Sequence, residues 1–347
     1  GGNQVEDETF LAGFVDAVRS LLAEHAVIIV HGGGKEIADL HGQLGVGFET
    51  VEGLRATSEE SLRLVEMVLN GVVNTRLVRW LAATLDRADL LDARDGMALP
   101  PAWHWAFFNA VEPMSALGRD GHPKKGGFLP ATAQPRRMWA GSRLRWHGEL
   151  KVGAAVERVS TILKCEAKRG KSGDMVLVTV GHQLRSGGVV ALDEEHDIVY
   201  RDEATADERR ALAALAEQAR AGGVQFERRG EVVREVAVTP VQMFRYSAVT
   251  FNGHRIHYDR DYARDVEGYP GLVVHGPLIA TMLLEFLQAQ VAPGRRVERF
   301  EFRALRPTFD IAPFALHGLR LDGDGNAALW STNNVGAVGM QATASIR

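Results

Sequence analysis

The sequence has few of the features that define disulfide-rich, membrane-spanning or nucleic-acid-binding proteins. Its single cysteine, Cys165, excludes an internal disulfide and a cysteine-rich zinc site. No apolar run approaches the roughly 18 residues that a membrane-spanning helix needs. Basic and acidic residues number 40 and 44, a balance that argues against a general nucleic-acid binder. We therefore expect a cytoplasmic protein that binds neither membranes nor nucleic acids.

The composition is that of an ordinary globular protein. Hydrophobic residues make up 46% of the chain and charged residues 24%, which excludes wholesale disorder. The length of 347 residues predicts two or three domains. We divide the chain into a first stretch (1–80), a second (81–202), a linker (203–230) and a third stretch (231–347).

The first stretch has the pattern of an α/β unit. Residues 26–30 read AVIIV, which is typical of a buried strand, and HGGGK follows at once. A helical pattern then resumes over residues 35–44. The order of strand, glycine-rich turn and helix predicts the opening of an α/β fold.

The second and third stretches predict an α+β architecture. Alternating and β-branched patterns indicate strands near residues 141–146, 158–164, 174–180 and 189–200. The linker is rich in Ala, Glu and Arg and predicts a solvated helix. Further strands are expected near residues 232–238, 297–303, 314–321, 327–331 and 339–346. A single long apolar helix, 276–290, predicts that the second sheet wraps around a central helix.

The third stretch contains a cluster of residues suited to acid–base chemistry. Residues 246–257 read YSAVTFNGHRIH, which places His254 and His257 three positions apart and Asp259 just beyond. His275, Gly276 and Pro277 then lead into the apolar helix. Free backbone N–H groups at a helix N-terminus bind a developing oxyanion, and a nearby histidine moves protons near neutral pH. This pattern indicates proton transfer beside a carbonyl that becomes enolate-like.

Two other interpretations of these histidines stay open on the residues alone. They can cap turns or line an interface, which is the ordinary role of an isolated histidine. They can also bind a metal ion, with His254 and His257 as two ligands and Asp259 or His275 as a third. No flanking residues that would orient metal ligands are visible, so we expect no metal.

The run TFNGHRIHYDRDYA, followed by EGYPGLVVHGPLIATMLL, resembles the hydratase motif of MaoC-like hotdog proteins. The resemblance is greatest to the mesaconyl-CoA (3-methylfumaryl-CoA) hydratase branch. It extends over about residues 81–347 through the segments WHWAFF, LGRDGHP, GGFLP and RRMWAGS. It implies a double hotdog, in which the first hotdog domain accommodates the acyl chain and the second contains the hydratase motif.

The resemblance also implies roles for individual residues. In such enzymes a His and an Asp five positions apart activate water, and a backbone N–H of the central helix binds the thioester oxygen. The His corresponds to His257 and the N–H to Gly276, whereas the Asp corresponds to Asn252 and the motif's Asn to His254. Since an amide cannot accept the proton of water, Asn252 is expected to orient it, with His257 as base and His254 or Asp259 as its partner. The substrate-binding residues are expected to be His275, Tyr246, Trp103, Arg136 and Arg137, the arginines meeting CoA phosphates or a substrate carboxylate.

The first stretch resembles acetylglutamate kinase, of the amino-acid kinase family. The resemblance rests on GGN at the start of the chain, HGGGK, GLRAT and VEMVLNGVVN. It implies that the backbone at Gly2, Gly32, Gly33 and Gly34 once cradled phosphates and that Arg55 paired with a substrate carboxylate. Only a fragment matches, without the nucleotide-binding half, so we expect no phosphoryl transfer.

The sequence thus predicts a hydro-lyase of the enoyl-CoA or mesaconyl-CoA hydratase type, fused to an α/β fragment of amino-acid kinase type. It predicts an acyl-CoA substrate, no cofactor, no metal and a homo-oligomer. Two alternatives remain: a non-catalytic acyl-CoA-binding hotdog protein, motivated by Asn252, and an acetylglutamate kinase-type phosphotransferase, expected to be inactive.

Overall fold

The computed structural model describes residues 49–51, 54–56, 73–109, 111–170 and 173–347. The chain divides into two compact units, Gly1–Leu69 and Asn70–Arg347.

In the first unit, strands β1 (Glu49–Val51) and β2 (Leu54–Ala56) form an antiparallel ribbon. Arg55 lies in β2, and its side chain is outside the described part. The predicted phosphate-binding glycines also lie outside the described residues: Gly2, Gly32, Gly33 and Gly34.

The second unit is built on a nine-stranded antiparallel sheet, whose strand order is β4-β5-β6-β3-β8-β11-β10-β9-β7. Each strand region predicted for the second and third stretches is confirmed in this sheet, whereas the strand predicted at residues 26–30 and the helical pattern over 35–44 lie outside the described residues. The strands are β3 (Arg136–Trp146), β4 (Val156–Gly170), β5 (Gly173–Ser186), β6 (Val189–Arg201), β7 (Val232–Val236), β8 (Val297–Ala304), β9 (Phe314–Gly318), β10 (Asn326–Thr332) and β11 (Val338–Ile346).

The pairing of β3 with β8 joins the strands of the two halves into one sheet. On the other side of β3, a bulge between Trp139 and Gly141 interrupts its register against β6. A Cβ on Gly141 would lie 2.3 Å from the carbonyl oxygen of Phe302. The seam therefore requires glycine, because a side chain there would push the two central strands apart.

Four α-helices accompany the sheet in the described part of the second unit. Side chains cap three of them: Asn74 caps α1, Thr205 forms a capping box with Glu208 on α2, and Thr239 caps α3. Among the described residues, none of the helices combines the length and the apolar composition needed to cross a bilayer. The helices are α1 (Thr75–Thr84), α2 (Ala206–Ala221), α3 (Pro240–Val249) and α4 (Gly276–Phe286).

Two helices bear on the predicted organisation. The exposed helix expected between the halves is present as α2, of which only Ala216 and Ala219 are buried. Helix α1 runs through the expected boundary between residues 80 and 81. Its Val78, Leu81 and Ala82 are buried in the same core as the hotdog strands, which groups it with the second unit.

Helix α4 is the central helix that the apolar run predicts. It is mostly apolar, and Leu278, Leu283 and Phe286 are fully buried. The sheet of the second half supplies the residues around it, including Phe300 and Leu316, in one continuous core.

The first half has no equivalent of α4 among its described residues. Between α1 and β3 the chain forms short 3₁₀ turns, including Trp103–Ala106 and Met114–Ala116, instead of a long helix. The concave face of β3, β5 and β6 is consequently left to line a cavity.

Candidate functional site

A cavity of about 610 Å³ opens beside the N-terminus of α4. One wall is formed by residues 250–257, which follow α3 and are called the motif loop below. The other walls come from residues 120–123 of the first half and from β3, β5, β6 and β8. Three predicted site residues do not line it: Asp259, His275 and Trp103. The predicted site residues that do line it are Asn252, His254, His257, Gly276, Tyr246, Arg136 and Arg137.

The N-terminus of α4 presents backbone donors to this cavity. His275 is the N-cap residue but provides no side-chain cap, and Pro277 follows in the first turn. The N–H of Gly276 makes no hydrogen bond within the described residues, and there is open space around its Cα. Because the helix dipole favours negative charge at this end, the arrangement suits an anionic oxygen.

His257 lies in the wall next to this terminus, in the 3₁₀ turn Arg255–His257. Its Nδ1–H donates to the carbonyl oxygen of Val273 at 2.7 Å, which fixes the tautomer and leaves Nε2 as an acceptor. The side chain is 7% exposed, and burial lowers its pKa to about 4. His257 is therefore neutral near pH 7 and able to accept a proton.

His275 packs against the ring of His257 and does not itself line the cavity. The two rings stack with their centroids 3.8 Å apart and 19° between their planes. Nε2 of His275 forms a hydrogen bond with Oγ of Ser247 at 2.8 Å, and the ring of Tyr246 meets His275 edge-on at 5.0 Å. Burial holds the pKa of His275 well below its usual value, so the stack is uncharged near neutral pH.

Asn252 and His254 form the rim of the motif loop. The side-chain oxygen of Asn252 accepts the backbone N–H of His254 at 3.0 Å, so it holds the loop. The ring of His254 makes no hydrogen bond among the described residues and meets the ring of His257 edge-on at 5.3 Å. Burial, together with the neighbouring His122, holds the pKa of His254 well below its usual value.

Asp259 is occupied outside the cavity. Its Oδ2 accepts from Nε and Nη2 of Arg255 at 3.0 and 2.8 Å, and its Oδ1 accepts the N–H of Tyr262 at 3.0 Å. The carboxylate therefore holds the turns that follow the motif, and the structure does not bring it to His257.

The structure brings two residues to the site that the sequence analysis did not select, Asp120 and His122. Nδ1–H of His122 donates to Oδ2 of Asp120 at 2.9 Å, and the rings of His122 and His254 lie 4.1 Å apart. The N–H of Arg255 donates to the carbonyl of Asp120 at 2.9 Å. The signal in the sequence was the polar Asp-Gly-His run inside LGRDGHP, a segment used only for the resemblance.

A glycine permits this docking of the first half on the motif loop. Gly121 has a φ of +88°, which strongly favours glycine. A Cβ on Gly121 would lie 1.8 Å from the carbonyl oxygen of Gly253. The two backbones are thus in direct contact.

Asp120, His122 and His254 are also spaced to hold a metal ion. Each offers a ligand atom, and these atoms lie within 4.8 Å of one another. Two histidines and a carboxylate are a donor set that zinc accepts. Asp120 and His122 are nevertheless hydrogen-bonded to each other, which is equally the arrangement of a proton-transfer pair.

The two predicted substrate-binding arginines differ in their surroundings. Arg136 is 8% exposed, and its Nε lies 3.1 Å from the carboxylate of Glu267, with Tyr269 as a second partner. The side chain of Arg137 forms no ion pair or hydrogen bond with the described residues. Burial lowers the pKa of Arg137, against the partly compensating charge of Asp120. Arg137 is thus available for a ligand, whereas Arg136 is bound within the fold.

The floor of the cavity in the first half is polar. Glu194 is 4% exposed and accepts from Nε2 of His104 at 2.9 Å, from Nε1 of Trp105 at 3.1 Å and from Oγ of Ser142 at 2.9 Å. Trp105 lines the cavity, whereas Trp103 is 1% exposed and packs in the core. The sequence could not separate these two tryptophans, because both suit a core and a pocket alike.

Comparison with known proteins places most of the chain in one family. The sequence model of hydroxyacyl-thioester dehydratase type 2 matches residues 102–310. The chain is 41% identical over 264 residues to mesaconyl-C(4)-CoA hydratase of Chloroflexus aurantiacus, covering 74% of this chain and 90% of that protein. It is 31% identical over 242 residues to the mitochondrial hydroxyacyl-thioester dehydratase type 2 of Schizosaccharomyces pombe, covering 63% and 77%.

Solved structures support the fold. HtdX of Mycobacterium tuberculosis matches with a TM-score of 0.54 at 17% identity, covering 80% of this chain and 99% of that one. A MaoC-like dehydratase of Phytophthora capsici matches with a TM-score of 0.55 at 14% identity, covering 82% and 98%. The predicted double hotdog is thereby confirmed.

The amino acid kinase family matches residues 1–104, which confirms the second resemblance. Acetylglutamate kinase of Halorhodospira halophila is 40% identical over 97 residues, covering 28% of this chain and 32% of the kinase. The chain therefore spans about a third of the length of that kinase.

Proposed function

The chain belongs to the hydroxyacyl-thioester dehydratase type 2 family, and we propose that it is a hydro-lyase that adds water reversibly across the α,β double bond of an enoyl-CoA. The observation that carries this proposal is the meeting of His257 and the N-terminus of α4 in one cavity. The substrate named for its relative, mesaconyl-C(4)-CoA, is the first candidate.

In this proposal the thioester oxygen binds at the N–H of Gly276. Attack of water on Cβ moves the π electrons toward the thioester, and negative charge develops on its oxygen as the enolate forms. A free backbone donor at the positive end of α4 stabilises that charge more strongly than the neutral ground state. The interaction therefore lowers the barrier rather than only tightening binding.

His257 is the proposed base. As the water oxygen bonds to Cβ, one water proton moves to Nε2 of His257, which the hydrogen bond to Val273 leaves free to accept it. The imidazolium then returns this proton to Cα, and the enolate collapses to the hydroxyacyl thioester. One water is consumed, and His257 ends in its starting state.

The other predicted site residues take supporting roles in this proposal. His275 stacks on the ring of His257, and Tyr246 packs against His275 in turn. Asn252 fixes the motif loop through its bond to the backbone of His254. Arg137 pairs with the free carboxylate of a dicarboxylic acyl group, since its guanidinium lines the cavity without a partner among the described residues.

The experiment that tests this function follows the loss of ultraviolet absorbance as the conjugated thioester is hydrated. Mesaconyl-C(4)-CoA and crotonyl-CoA are offered to the wild type, to His257→Ala and to His147→Ala. His147 is a matched control, because it pairs with Asp193 outside the cavity. We expect hydration by the wild type and by His147→Ala, and a loss on the order of 100-fold or more in His257→Ala.

The alternative, a non-catalytic acyl-CoA-binding protein, predicts a different result. The wild type would then bind both thioesters without turnover, and His257→Ala would bind them equally well. ATP binding, which the kinase alternative requires, is measured in parallel and is expected to be absent. The domain limits of 1–80, 81–202, 203–230 and 231–347, the homo-oligomer and the cytoplasmic location stay predictions.

A further inference from the structure

The position of Asn252 leaves the proposed hydratase without a carboxylate at the place where the family motif has one. Among the described residues, four acidic side chains line the cavity: Asp120, Asp174, Glu194 and Glu267. Three of them are engaged elsewhere. Glu194 accepts three hydrogen bonds in the first half, and Glu267 pairs with Arg136. Asp174 forms an exposed ion pair with Arg169 near the start of β5. Asp120 is the one whose hydrogen-bonded histidine, His122, contacts His254 of the motif loop.

The Asp120–His122 pair is held in place by contacts with the motif loop. The backbone N–H of Arg255 donates to the carbonyl of Asp120 at 2.9 Å, and Nη1 of Arg255 donates to the carbonyl of Arg119 at 3.1 Å. Oδ1 of Asp120 also accepts the N–H of His122 at 3.1 Å. The pair is therefore fixed relative to the loop that carries His257.

The free edge of His122 faces the cavity. Because its Nδ1–H donates to Asp120, Nε2 is the acceptor of the neutral ring. Nε2 makes no hydrogen bond within the described residues, and the same holds for Nε2 of His257. Two imidazole acceptors, from different halves of the chain, thus line one cavity, and the ring of each lies next to that of His254.

We propose that His122, oriented by Asp120, accepts a hydrogen bond from the attacking water and replaces the acid missing at Asn252. The inference rests on the proposed function. One water proton goes to His257, and the other stays on the oxygen that bonds to Cβ, hydrogen-bonded to Nε2 of His122. His122 touches the reacting water and is a catalytic residue, whereas Asp120 acts through it and is a positioning residue.

The test measures kcat, KM and the pH profile of kcat/KM for hydration of mesaconyl-C(4)-CoA. His122→Phe keeps the ring shape and removes the acceptor, so kcat is expected to fall on the order of 100-fold while KM stays within about 3-fold. His122→Gln restores an acceptor and is expected to recover part of the loss. The matched controls are His147→Phe and Asp193→Asn, from an exposed Asp–His pair outside the cavity, and both are expected to keep wild-type rates.

The variant Asp120→Asn tests whether the carboxylate of Asp120 acts through His122 or only stabilises the fold. The groups that face His122 are Asp120, Arg137, His254 and His257. Burial and the charge of Arg137 lower the pKa of His122, and the carboxylate of Asp120 opposes them. Removing that negative charge lowers the pKa further, so the acid limb of the profile is expected to move to lower pH as kcat falls.

Several outcomes overturn the inference. One is that His122→Phe keeps the wild-type kcat. Another is that His122→Phe and His122→Gln lose kcat equally while the acid limb of the pH profile of Asp120→Asn does not move. Loss of activity on chelation, with recovery on adding zinc, would assign Asp120, His122 and His254 to a metal ion instead. Thermal unfolding of each variant identifies a misfolded one. Loss of activity in His257→Ala alone leaves the proposed function standing, whereas an inactive wild type ends both proposals.

Discussion

Arg136 and Arg137 are neighbours in β3 and both line the cavity, but their guanidinium groups differ in their partners. Arg136 is held by Glu267, whereas the guanidinium of Arg137 reaches the cavity without an acid to pair with among the described residues. A buried charge without a partner is costly unless a ligand supplies the opposite charge. This difference predicts selectivity for an acyl group that bears a carboxylate.

Arg137→Met is expected to lower kcat/KM for mesaconyl-C(4)-CoA by about 30-fold, equivalent to about 2 kcal/mol for a lost charged hydrogen bond. Crotonyl-CoA has the same reacting double bond without the carboxylate, so its kcat/KM is expected to change little. Arg143→Met serves as the control, because Arg143 pairs with Glu195 and Asp197 outside the cavity, and both substrates are expected to keep wild-type rates. An equal loss with both substrates would instead assign Arg137 to the CoA phosphates that the substrates share.

At the same scale, sequence reasoning found part of the site. His257 and Gly276 could be located because they lie in one local motif and at the start of an apolar helix. Asp120 and His122 could not, because a loop has no periodicity that fixes where it packs. Their meeting with His254 depends on contacts between residues as far apart as Arg119 and Arg255, 136 positions along the chain.

At the scale of elements, the N-terminus of α4 allows the backbone donor of the site to be tested separately from its side chains. A proline introduced at position 276 would make His275 the residue that precedes a proline. His275 already has φ −57° and ψ 129°, the conformation that such a residue prefers. Proline is also tolerated in the first turn of a helix, where its missing N–H breaks no helical bond. The N–H of Gly276 can therefore be removed without breaking the helix.

Gly276→Pro is expected to keep the fold and to lower kcat on the order of 100-fold, because the proposed oxyanion donor is lost. Gly276→Ala is the control, since nothing lies within 4 Å of the Cβ that it adds and the N–H is retained. Hydration rates and circular dichroism of both variants check this expectation. Similar activity in the two variants would show that the N–H of Gly276 is not the donor.

The elements themselves were largely predictable. Alternating β-branched residues fix the strands, and a mostly apolar run fixes α4. The sequence did not predict that the first half lacks a long helix among its described residues, because the Trp-rich and Pro-rich segment suits either a core or a pocket. The sequence also did not predict that α1 runs across residue 80, because the spacing of its apolar residues does not indicate which unit the helix packs against.

At the scale of the whole molecule, the buried imidazoles link stability to pH. His254, His257 and His275 are each at most 7% exposed, and burial lowers the pKa of each in the folded state. The unfolded chain therefore binds more protons than the folded one below about pH 6.5. Their contribution is fully present above that pH and is lost as the pH falls toward the folded values.

We expect the free energy of unfolding to fall between pH 6.5 and pH 4, with His257 accounting for up to about 3 kcal/mol at about 1.4 kcal/mol per pKa unit. Urea denaturation at a series of pH values measures the slope. His257→Gln is expected to reduce it, whereas His147→Gln, at a half-exposed surface pair, is expected to leave it unchanged. A slope that is the same in all three proteins would contradict the linkage.

The backbone contact between Gly121 and Gly253 has a consequence for the order of folding. A nascent chain closes local hairpins early, but this contact closes a loop that contains β3 to β7, α2 and α3. An intermediate in which one half has folded would contain His257 or His122 in place, but not both. Refolding followed simultaneously by fluorescence and by turnover would then show activity returning last, after most of the native structure has formed.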